Sequence, residues 1–121
     1  MEEYAKEELT GALQVVSSTI SNCEKMQLKF AEGTSQHTLL KNRIKALYIA
    51  KLLITEQNVT GKYTKQDLIN ALPPVTSIIS KCEKAQLKSS EGTANFTRLE
   101  EIIKTMYIAE SLIIYEIDKM G

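Results

Sequence analysis

The chain has 121 residues, 43% of them apolar and 25% charged, enough for one domain with a core of its own. Fifteen Lys and Arg balance fifteen Asp and Glu, so the formal net charge is zero, which argues against a dedicated nucleic-acid binder, whose affinity comes from neutralising phosphates. No apolar run reaches the 18 or so residues that span a bilayer.

The opening segment, MEEYAKEEL over residues 1–9, is acidic and lacks the basic and apolar regions of a signal peptide. Together with Cys23 and Cys82, read as reduced thiols, it predicts a cytoplasmic protein without membrane attachment. From there Leu9, Leu13, Val16, Ile20, Cys23 and Gln27 recur at spacings of 4, 3, 4, 3 and 4, the inner face of an amphipathic helix. Gly33 is expected as the C-cap glycine of that helix. Thr34 or Thr38 then caps a second helix carrying Leu40, Ile44, Leu47 and Ile54. Val59–Lys62 is the expected link to the second half of the chain.

That second half repeats the first. Offset by 59 and without a gap, residues 60–118 match residues 1–59 at 27 positions. CEKMQLKFAEGT from Cys23 returns as CEKAQLKSSEGT from Cys82, and IKALYIAKLLI from Ile44 as IKTMYIAESLI from Ile103. Two copies are too few for a solenoid but suit a closed domain with internal twofold symmetry, a homodimer joined into one chain. The helix of the second copy carries Leu68, Leu72, Val75, Ile79, Cys82 and Gln86, with Gly92 at its expected end. Pro73 and Pro74 fall where the first copy has Gln14 and Val15. Proline lacks an amide and clashes with the preceding turn, so a short helix over 65–72 and a new one begun by Pro74 are expected; the first copy either shares that break or runs straight. The last helix, capped by Thr93 or Thr97, carries Phe96, Leu99, Ile103, Met106 and Ile113, with capping-box spacing from Thr97 to Glu100. The predicted fold is all-α: an antiparallel helical bundle of two pseudo-twofold-related helical hairpins in one domain, repeat 1 over 1–59, repeat 2 over 60–118 and a tail at 119–121.

Polar residues that return in both copies are the candidates for a site. Lys25, Lys29, Lys84 and Lys88 offer a surface for an acidic partner, or are plain solvated helix surface. Gln27 and Gln86 sit on the apolar stripe, where a polar group needs a hydrogen bond; they are expected to hold the following loop or to meet at the symmetry axis. Tyr48 and Tyr107 read as core-edge packing. Elsewhere the copies diverge in charge. Lys41, Arg43, Lys45 and Lys51 against Glu56 leave residues 38–59 at +3, while residues 97–118 stand at −3. Lys51 and Glu110 hold equivalent positions and are expected to pair where the two second helices meet across the axis.

Chemistry-bearing patterns are missing. There is no CxxC, phosphate loop, HExxH or EF-hand loop, and His37 is the only histidine. A Cys23–His37 nucleophile pair is set against Cys23 lying on an apolar face and against Phe96 at the position equivalent to His37. The expectation is a non-enzymatic protein-interaction or regulatory module without cofactor or metal, monomer or homodimer. Two alternatives stand beside it: nucleic-acid binding through Lys41, Arg43, Lys45 and Lys51, and a small-ligand site at the axis lined by Gln27, Gln86, Tyr48 and Tyr107.

Overall fold

The computed structural model describes residues 4–121; Met1–Glu3, part of the acidic opening segment, lie outside the described residues. Four helices come in order: α1 Lys6–Gln27, α2 Ser35–Ile54, α3 Lys65–Leu87 and α4 Ala94–Lys119. The fold is an all-α bundle. α1 packs on α2 and α3 on α4, α2 also touches α3 and α4, and α1 meets α4 lightly. Short connections force antiparallel neighbours. The α1–α2 and α3–α4 turns therefore share one end of the bundle, the tip. The 55–64 connection and the C-terminal end of α4 share the other, the base.

The apolar stripes account for the interior. Ala12, Val16 and Ile20 of α1 are buried together with Leu68, Ala71, Val75 and Ile79 of α3. α2 and α4 are the central pair, contributing Leu47, Ile49, Ala50 and Ile54, and Met106, Ile108, Ala109 and Ile113. Ala50 and Ala109 are fully buried in this core, whereas Ala46 lies on the side of α2 that faces α3. Val59 plugs the core from the connection, held by a turn in which its carbonyl accepts from the amides of Lys62 and Tyr63. The link over 55–64 is thus wider than Val59–Lys62 and is anchored at Val59, with its other residues except Tyr63 exposed.

Three expectations need correction. α3 is unbroken through Pro73 and Pro74, so there is no short leading helix, and α1 runs straight as well. In a regular helix the amides of residues 73 and 74 would donate to the carbonyls of Ile69 and Asn70. Both of those residues are exposed, so water can take the place of the missing donors, and the helix carries on at less cost than stopping and being recapped. Gly33 and Gly92 are not C-caps; α1 and α3 end at Gln27 and Leu87, with Leu28 and Lys88 as their C-caps. The glycines lie just before the next helix with φ of 92° and 86°, a left-handed conformation that side chains disfavour. Finally, Lys51 and Glu110 do not pair. The Glu110 carboxylate accepts from Thr76 Oγ1 at 3.4 Å, and α2 meets α4 through buried small and aliphatic residues instead.

Candidate functional site

The twice-written stretch builds the tip. Thr34 and Thr93, not Thr38 and Thr97, are the N-caps of α2 and α4. Each hydroxyl accepts from the amide three residues on, His37 or Phe96, at 3.2 Å. Each also donates back to the carbonyl of Ala31 or Ser90 at 2.7 Å. Gln27 and Gln86 close the same turns. Their side-chain amides donate to the carbonyls of His37 and Phe96 at 3.4 and 3.5 Å. These are long bonds in equivalent places, and they tie the end of one helix to the first turn of the next.

With its glutamines and threonines so engaged, the tip leaves other residues outward. Leu28 is 88% exposed and Leu87 is 87% exposed, the most exposed large apolar side chains among the described residues. Leu28 is the C-cap of α1 and Leu87 the last residue of α3. Lys25, Lys29, Lys84 and Lys88 flank them and are all exposed. Met26 and Phe30 add exposed apolar surface on the first turn. The lysines were legible as a candidate surface; the leucines between them were not singled out. The available signal was their register, since Leu28 and Leu87 stand one residue off the buried stripe, above Glu24 and Lys25 or Glu83 and Lys84 on the polar side.

The basic residues of α2 are differently placed. Arg43 Nη2 donates to Ser77 Oγ on α3 at 3.0 Å, and its Nε is buried without a partner. Lys45 pairs with Asp67 of α3 at 2.9 Å. Lys104, equivalent to Lys45, pairs with Glu8, equivalent to Asp67, at 3.9 Å. Asp67 and Glu8 each also accept from the N-cap amide of their own helix, that of Thr64 or Ala5. One carboxylate thus caps a helix and joins it to its neighbour. The Thr64–Asp67 capping box was readable from spacing alone and was missed. Of the four cations on α2, Lys41 and Lys51 alone have no partner among the described residues.

Asp67 is held below the ordinary aspartate value, mainly by the hydrogen bond from Lys45 and then by the Thr64 amide. A lowered folded value means the unfolded chain takes up this proton first. The resulting stabilisation is complete above the unfolded value, about 4, and is lost as pH falls from there through the folded value. Asp67→Asn is therefore expected to flatten the acid limb of stability below about pH 4. Urea midpoints across pH check this; an unchanged slope in the variant would refute it.

Tyr48 and Tyr107 are 38% and 50% exposed. Tyr48 donates to Glu24 at 3.1 Å, and that bond raises its phenol above the ordinary value. The four axis candidates are not brought into one cleft: Gln27, Gln86 and Tyr48 line none of the five principal grooves, and Tyr107 lines one beside Lys104 and Ile114. Cys23 and Cys82 are free and half-buried, with burial pushing both thiols up. Cys23 and His37 share no hydrogen bond among the described residues; His37 sits in the first turn of α2. Among the described residues no three His, Cys, Asp or Glu side chains group as for a metal ion, and no helix is long and apolar enough to cross a membrane.

Comparison of the chain with protein-family models, with curated protein sequences and with solved structures finds no match.

Proposed function

We propose that the chain is a non-enzymatic interaction module that docks an acidic protein partner on the tip of the bundle. The observation that carries this reading is the pair of nearly bare leucines, Leu28 and Leu87, flanked by exposed lysines at one end of the molecule. Neither leucine contributes to the core. Full burial of such a side chain contributes about 1.5–3 kcal/mol, and here that gain is left for an encounter. Lys25, Lys29, Lys84 and Lys88 set the preferred charge of the partner and speed its approach. Residues 22–41 and 81–100, which include the tip, each carry a net charge of +1. Arg43 and Lys45 are engaged by Ser77 and Asp67 of α3, which leaves Lys41 as the one exposed cation of α2 without a partner among the described residues and weakens the nucleic-acid reading.

The test is the double variant Leu28→Ser/Leu87→Ser. Its urea stability is expected to stay within about 0.5 kcal/mol of the parent, as for surface changes away from structural features. A synthetic helical peptide with a leucine stripe edged by glutamates is expected to bind the parent and to bind the variant about tenfold more weakly, with affinity falling as salt rises. Binding of phosphatidylserine vesicles or of duplex DNA in place of the peptide would overturn the reading. So would loss of stability in the variant on the scale of a core substitution.

A further inference from the structure

The base of the bundle is where the two copies are built differently. α2 stops at Ile54, whereas α4 runs past the equivalent Ile113 to Lys119. The added turns of α4 and the 56–60 segment wall a groove of about 790 Å³, within the size range of small-molecule sites. Its apolar lining comes from Leu9, Leu53, Leu112 and Met120. Tyr4 and Tyr115 add two aromatic rings, and Glu56 and Glu116 two carboxylates.

The chain already places an alkylammonium in this groove. Lys119 Nζ lies 5.5 Å from the centroid of the Tyr115 ring and 3.2 Å from Glu116 Oε1. An ammonium over an aromatic face beside a carboxylate is how cations of this kind are recognised. The Lys119 side chain is 55% exposed on a flexible stem, whereas the Glu116 carboxylate is only 15% exposed. The lysine can therefore be displaced while the acid stays.

Glu56 supplies an independent observation. The chain leaves α2 in a Schellman turn, with the Gln57 amide donating to Leu52 at 2.8 Å and the Glu56 amide to Leu53 at 3.1 Å. Such a turn calls for glycine at the position Glu56 occupies. Glu56 has φ of 59°, the one non-glycine residue with positive φ among the described residues. Strain retained where glycine would relieve it points to a use for the side chain, and here the side chain lines the groove. It forms no hydrogen bond or ion pair among the described residues.

We propose that this groove binds a primary alkylammonium, either a free amine or the lysine side chain of a peptide. The ligand ammonium takes the place of the Lys119 ammonium over Tyr115. Glu116 and Glu56 supply the counter-charge, and the methylene chain lies on Leu53, Leu112 and Met120. This site is separate from the tip and stands or falls independently of the tip reading.

Titration of the whole chain with n-hexylammonium, and with a blocked lysine amide, is followed by NMR. The Tyr115 ring and Met120 methyl resonances are expected to shift, and n-hexanol and hexanoate at equal concentration are expected to leave them in place. Lys119→Met removes the internal competitor and is expected to tighten binding about fivefold. Glu56→Gly relieves the turn, so it is expected to raise the melting temperature while weakening binding about fivefold. Tighter binding of hexylammonium than of the lysine amide identifies a free amine as the ligand, and the reverse order a peptide lysine. Equal binding of n-hexanol, or affinities unmoved by both substitutions, would overturn the proposal.

Discussion

Leu47→Ala is expected to lower the unfolding free energy by about 2–5 kcal/mol. A domain of this size is stable by roughly 5–15 kcal/mol in total, so this one truncation takes a large share of it. Leu47 is 0% exposed and sits midway along α2, which like α4 touches every other helix of the bundle. Its equivalent on α4 is Met106, also 0% exposed. Met106→Ala is expected to fall in the same range. The informative companion is the exchange Leu47→Met/Met106→Leu, which keeps total volume and side-chain character. Each half of that exchange is expected to cost under about 1.5 kcal/mol. Urea unfolding of the two alanine variants, the two single exchanges and the double exchange checks all of this. A loss below about 1 kcal/mol for Leu47→Ala would mean the centre of the bundle is not closed by this chain alone. The search for a covering partner would then move from the tip to the α2–α4 seam.

The interior was legible because apolar spacing is a local property. Leu9, Leu13, Val16 and Ile20 announce a helix and its inward face without any knowledge of what they pack against, and Val16 and Ile20 are indeed buried. The turns were half legible. The repeated EGT was placed correctly between helices, but Thr34 and Thr38 offer the same chemistry. The choice between them comes from the glycine's left-handed φ, which puts Thr34 in position to cap. Partners of charged residues were not legible, because Lys45 and Lys51 look alike along the chain. Only the docking of α3 gives Lys45 an aspartate, while Lys51 is left without one. Leu28 and Leu87 escaped notice for a related reason. A lone apolar residue on a polar helix face is ordinary, and it acquires meaning only when the antiparallel topology brings two of them to the same end.

The second large effect concerns α3. Pro73→Gln/Pro74→Val gives the second copy the residues that the first copy carries in a straight helix, Gln14 and Val15. The substitution restores two backbone donors, for the carbonyls of Ile69 and Asn70. An interior proline is about 3 kcal/mol less favourable in a helix than alanine. Two terms reduce the gain here. Water already serves the exposed carbonyls, and replacing proline frees the unfolded chain, which costs about 0.4–1 kcal/mol per site. A net stabilisation of about 1–3 kcal/mol is expected, read as a higher urea midpoint with an unchanged m-value. The new amides of residues 73 and 74 are expected to be protected from hydrogen exchange. The prolines also line a groove of about 530 Å³ between α2 and α3, with Arg43, Ser77 and the Lys45–Asp67 pair on the same walls. If the variant loses stability although both amides are protected, the prolines act through packing in that groove. Their rigid rings would then hold α3 at the distance that lets Arg43 reach Ser77 and Lys45 reach Asp67, and the departure of the second copy from the first would be what keeps the two hairpins in register.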